Sequence, residues 1–94
     1  MIKIEQQQLW VSGKIDFHNA EHYYQQGLAC IQQQSLPLVV NLRDLEQGST
    51  VALAVLVRWL RQTPQAKGLH FRAVPQKMMK IIEACHLQDD LILI

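Results

Sequence analysis

The sequence predicts an α/β fold, a mixed sheet of about four to five strands covered by three or more helices. Two observations carry that prediction. Short runs with a period of two, or of continuous apolar residues, alternate with longer stretches whose apolar positions recur at three and four. Each change of period is marked by a proline, a glycine or a polar cluster. The resulting order is β-β-α-β-α-β-α-β, which calls for parallel strand pairs joined by right-handed crossovers.

Ile2-Lys3-Ile4-Glu5 alternates apolar and polar, as does Leu9-Trp10-Val11-Ser12-Gly13-Lys14-Ile15 after a Gln6-Gln7-Gln8 connection, and the pair reads as a hairpin. Between Asn19 and Gln34, Ala20, Tyr24, Leu28 and Ile31 form a helical stripe, with Asn19 as the candidate N-cap. Pro37 closes that segment. Leu38-Val39-Val40-Asn41-Leu42 then has the continuous apolar character of a central strand.

Thr50 to Gln62 is helical again, with Leu53, Leu56, Val57 and Leu60 as its stripe and Pro64 and Gly68 at its exit. Leu69 to Val74 reads as a strand. Pro75 opens a third helix whose buried face is predicted to be Met78, Ile81, Ile82 and Cys85, and Leu91 to Ile94 ends the chain as a short strand.

Composition narrows the function. At 94 residues the chain fits one core and leaves little material for a deep substrate cleft. Nine basic residues against eight acidic ones give a net charge of +1, which supplies no field for nucleic acid. The first ten residues lack the apolar core of a signal peptide, and Arg58 interrupts the most apolar run, Val51 to Val57. The expectation is a soluble cytoplasmic protein with no membrane insertion. Cys30 and Cys85 sit far apart on helix faces and read as small core residues rather than a disulfide.

Catalytic patterns are sparse. His18-Asn19-Ala20-Glu21-His22 matches the H-x-x-E-H string of inverted zinc peptidases, but it lacks a nearby third ligand and reads as two exposed histidines. Asp44 and Glu46 share a loop with Arg43 and read as solvated charges. Cys85 and His86 are adjacent on a helix, about 100° apart, and cannot form a nucleophile-base pair. The isolated glycines form no phosphate loop. No catalytic residue, metal ligand or cofactor is implied.

The informative segment is Gly48-Ser49-Thr50-Val51-Ala52, where a strand and loop pass into the second helix. Ser49 or Thr50 is the N-cap, and a hydroxyl there lies at the positive end of a helix dipole, where a phosphate would also be tolerated. With the buried stripe centred on Leu53 and Leu60, Val51 and Val55 fall with Arg58 on the solvent side, and Ala54 and Trp59 on the flanks. A few exposed apolar residues are ordinary on any surface; the other reading makes Ser49, Thr50, Val51, Ala54, Val55, Arg58 and Trp59 the predicted partner-binding surface.

Two local patterns resemble the STAS domain family, found in sulfate transporters and anti-sigma-factor antagonists. Val11-Ser12-Gly13-Lys14-Ile15-Asp16 is similar to its apolar-x-Gly-x-apolar-Asp second strand. Val39-Val40-Asn41-Leu42, through Leu45 to Ser49-Thr50, is similar to its strand, turn and hydroxyl-bearing helix start. The resemblance implies a STAS-like fold with residues 1–94 as a single STAS domain. Short length and the threonine at the helix start make it similar to the small cytoplasmic subunit of bacterial Mla phospholipid transporters.

That resemblance implies a non-catalytic accessory subunit that binds and stabilises an MlaF-type ABC-transporter ATPase. Its wider complex would include an MlaE-type permease and an MlaD-type substrate-binding protein, placing the chain peripherally at the inner membrane in support of outer-membrane lipid asymmetry. The alternative is a phosphorylation-switched anti-sigma-factor antagonist. Ser49 in place of the family's acidic residue, Val51-Ala52 in place of its glycine-containing pair, and Asn41 in place of its strand aspartate point away from such a switch.

Overall fold

The computed structural model describes residues 1–63 and 68–94. Pro64, predicted to mark the exit of the second helix, lies outside the described residues. Among them the order is β1 (Ile2–Glu5), β2 (Gln8–Val11), β3 (Gly13–Lys14), α1 (Ala20–Gln32), β4 (Leu38–Asn41), β5 (Leu45–Glu46), α2 (Thr50–Gln62), β6 (Leu69–Arg72), α3 (Gln76–Ala84) and β7 (Ile92–Leu93). A five-stranded mixed sheet runs β1-β2-β4-β6-β7, and β3 and β5 form a separate two-stranded pair.

Strand direction follows from the connections. β1 and β2 are antiparallel because only Gln6 and Gln7 join them, both with positive φ. β2–β4, β4–β6 and β6–β7 are parallel, and the first three of these strands are linked through α1 and α2, with α3 between β6 and β7. Registers such as Val40 opposite Phe71 and Leu9 opposite Val40 put Leu9, Val40 and Phe71 on one face, essentially solvent-free. The alternate residues Trp10, Val39, His70 and Ile92 are only half-buried. The three helices thus form one layer on a single face of the sheet.

The predicted third-helix stripe is only partly internal. Met78 and Ile82 are buried, Ile81 is half-buried and Cys85 is exposed. The reason is length: α3 ends at Ala84, so Cys85 lies past its last turn and does not continue the stripe. Cys30 is half-buried, and both thiols are free.

α1 and α2 pack closely because Gly27 removes a side chain where Trp59 approaches. A methyl at that position would overlap the six-membered ring of Trp59. The Trp59 indole N–H donates to the Tyr24 carbonyl oxygen at 3.0 Å, so the ring is fully enclosed and its polar atom is satisfied. Gly48 plays the corresponding role at the start of α2, where a Cβ would come within 2.7 Å of the Met78 Cβ. These two close approaches fix where α2 begins and how it lies between α1 and α3.

Candidate functional site

The loops at the C-terminal ends of β2 and β4 meet at the start of α2. β3 pairs in parallel with β5, Gly13 opposite Leu45 and Lys14 opposite Glu46, which ties the loop before α1 to the loop before α2. Asn41 closes the end of β4: its amide nitrogen donates to Gln8 Oε1 at 3.0 Å and its Oδ1 accepts from Arg43 N at 2.9 Å. A neutral amide serves both partners there, one a donor and one an acceptor, which a carboxylate cannot do.

Ser49 is the N-cap of α2. Its backbone is extended, and its Oγ accepts from Ala52 N at 3.1 Å while donating to the Ile15 carbonyl oxygen at 3.4 Å. That places the cap on one residue and leaves the next free: Thr50 is the first helical residue and is exposed. At the start of α1, Asn19 occupies the cap position without a side-chain cap bond, because its Oδ1 accepts from Asp16 N instead.

The predicted docking surface is partly corrected. Thr50, Ala54 and Arg58 are exposed and Val51 is half-buried, but Val55 and Trp59 are internal at 2% and 0% exposure. On a helical wheel the centre of the buried arc lies near Ala52 and Leu56, roughly 80° from the position expected with Leu53 at the centre. The cause is a second packing partner. α2 buries one side against the sheet and another against α1, and Val55, one turn before Trp59, follows that ring into the α1 contact.

Three residues outside the prediction join the outward side. Val57, Arg61 and Leu87 line, with Thr50, Leu53, Ala54 and Arg58, a shallow open groove of about 270 Å³ between α2 and the segment after α3. Its floor is apolar and two guanidinium groups stand at its rim. Val57 and Arg61 were accessible to helical periodicity once the arc was centred properly. Leu87 lies outside any periodic element and carried no signal.

Arg58 is held in position from α1. Nη1 donates to Glu21 Oε2 at 2.8 Å, and the guanidinium carbon sits 3.7 Å from the centroid of the Tyr24 ring. The bond to Arg58, assisted by one from Gln25, holds the Glu21 carboxyl below its ordinary value of 4.5, and the same bond raises Arg58. Both side chains remain about half exposed or more, so the pair orients the guanidinium more than it stabilises the fold. For a lowered carboxylate the sign is fixed: its contribution is complete above the ordinary value and disappears as pH falls through the folded-state value.

His18 and His22 are both exposed, and among the described residues no three His, Cys, Asp or Glu side chains are grouped to hold a metal. Asp44 and Glu46 are exposed in their loop. No described helix is long and apolar enough to cross a membrane.

The chain is thus a two-layer α/β module whose loop ends carry an outward helix side and a shallow groove. The family model described as "Mlab, STAS domain" matches residues 2–94, and the chain belongs to that family. It is similar to a chain of the Acinetobacter MlaFEDB complex in its ATP-bound Vtrans1 conformation, at 63% identity and a TM-score of 0.92, covering 100% of both chains. It is similarly close to one in the Vtrans2 conformation, at 63% identity and a TM-score of 0.93, covering 100% of this chain and 99% of that one. Comparison with curated proteins yields no match.

Proposed function

We propose that this chain is a non-catalytic accessory subunit of an ABC-type phospholipid transporter, binding and stabilising its MlaF-type ATPase. An MlaE-type permease and an MlaD-type substrate-binding protein complete the assembly, which supports outer-membrane lipid asymmetry. The observation that carries this reading is the full-length likeness, at 63% identity, to a chain of the MlaFEDB complex. The chain acts as one STAS module over residues 1–94 and sits peripherally on the cytoplasmic side of the inner membrane.

The docking surface is the outward side of α2: Thr50, Ala54 and Arg58, with Val51 at its margin and Val57 and Arg61 beside the groove. Ser49 contributes by capping the helix and leaving the Thr50 hydroxyl exposed. The small Ala54 between Thr50 and Arg58 lets a partner backbone approach closely, and Arg58 is already oriented by Glu21 and Tyr24. Near-neutral net charge leaves recognition to shape and apolar contact more than to long-range steering. Regulation of the ATPase then requires tighter binding to its assembled or active state, because equal affinity for both states shifts neither.

The test is coexpression with the ATPase, permease and MlaD-type genes. The chain is expected to copurify with the ATPase in a fixed ratio, and its omission to lower both ATPase recovery and activity. An ATPase equally abundant and active without the chain would contradict the proposal.

A further inference from the structure

Phe17 stands outside everything assigned so far. It is 87% exposed, the most exposed large hydrophobic among the described residues; the others are Met1, Ile4 and Ile94, near the chain ends. A single exposed apolar side chain is ordinary and proves nothing alone. What distinguishes Phe17 is that its backbone is fixed from both sides. Asp16 Oδ1 accepts from His18 N at 2.9 Å and Asn19 N at 3.1 Å, while Asp16 N donates to Asn19 Oδ1 at 2.8 Å. Asn19 Nδ2 donates to the Lys14 carbonyl oxygen at 2.9 Å, and Ala20 N to that of Asp16 at 2.9 Å.

These bonds form a closed clamp around one residue. They order the backbone on both sides of Phe17, so the loop that carries the exposed ring has little backbone freedom left to lose on binding. Its place in the fold adds the second argument. The Ser49 hydroxyl that caps α2 also bonds the Ile15 carbonyl oxygen, two residues before Phe17. In the first turn of α1, Glu21 bonds Arg58 of α2. The chain is thus tied to the α2 region both before and after Phe17, which sets the loop beside the end of α2 that carries Thr50 and Arg58.

We propose that Phe17 is a second anchor for the ATPase, inserting its ring into an apolar pocket of that subunit and extending the docking surface from α2 onto the loop before α1. This rests on the ATPase-binding reading of α2. Aromatic side chains are enriched in protein interfaces, and a phenyl carried on an ordered loop supplies large apolar area at low backbone entropic cost. Continuity with the α2 surface selects the same partner over any other occupant.

The experiment measures the dissociation constant of the full chain for the purified ATPase by titration calorimetry, alongside the melting temperature of each variant. Phe17→Ala is expected to weaken binding about thirtyfold with an unchanged melting temperature, and Phe17→Leu to recover most of the loss. Binding within twofold of wild type for Phe17→Ala, while Ala54→Asp still abolishes it, would overturn the Phe17 anchor and leave the α2 reading standing. Unchanged binding in both variants would remove the α2 reading and the anchor together. A lowered melting temperature in Phe17→Ala would mean that the ring packs on its own chain, and a concentration-dependent homodimer lost with Phe17→Ala would give the site to a second copy; either overturns the proposal.

Discussion

The two sides of α2 share alanine and valine and give them opposite fates. Ala52, Leu53, Val55, Leu56 and Trp59 are buried, while Thr50, Ala54, Arg58 and Arg61 are exposed, with Val57 between. Ala52 is solvent-free and Ala54 is exposed, and Val55 is internal although Val57 lines the groove. Within each of these two pairs, hydrophobicity alone does not decide the outcome. Position relative to α1 does, because the Gly27 gap admits Trp59 and draws the buried arc round toward that neighbour. Residues assigned to a partner by their apolar character alone therefore divide into those already claimed by the fold and those left over.

The division is best broken from the buried side. Val55→Asp places a carboxylate where 2% of the side chain is accessible and no partner is at hand. It is expected to cost about 4 kcal/mol or more and to leave the isolated chain largely unfolded by circular dichroism. A folded Val55→Asp protein would show that this side of α2 is not sealed. Gly27→Ala probes the same contact from α1. Overlap with Trp59 is expected to cost about 1–3 kcal/mol in urea denaturation, less whatever the better helix propensity of alanine returns. A stabilised variant would mean that α1 and α2 are less closely apposed than described.

Ser49→Ala acts between the two sides, removing the cap bond to Ala52 N and the contact with Ile15 while burying nothing new. The expected loss is about 1 kcal/mol, read as a shift in the denaturation midpoint. Thr50→Ala should be close to neutral by the same measure, since Thr50 makes no cap bond. Reversal of the two effects would move the cap to Thr50.

Much of this was legible in the sequence. The hairpin, the continuous run Leu38–Asn41, the limits of α2 at Thr50 and Gln62, and the resemblance to STAS domains all rest on local patterns that survive packing. The ambiguous hydroxyl pair Ser49-Thr50 is divided only by backbone geometry, because both residue types cap helices. Val55 and Trp59 were misplaced because periodicity measures one buried direction, and α2 has two. β5, two residues long, is held by pairing with β3 and has no pattern of its own. Phe17 belongs to neither period, and the order of the loop that carries it comes from the hydrogen bonds of Asp16 and Asn19, which no periodic pattern encodes.

The central claim, that the outward side of α2 is the part left for the partner, is tested most directly by the affinity of Ala54→Asp for the purified ATPase. Ala54→Asp is expected to keep close to the wild-type melting temperature, because Ala54 is exposed, and to lose detectable binding, because the new carboxylate would be desolvated in the docked surface. Wild-type affinity in that variant would contradict it.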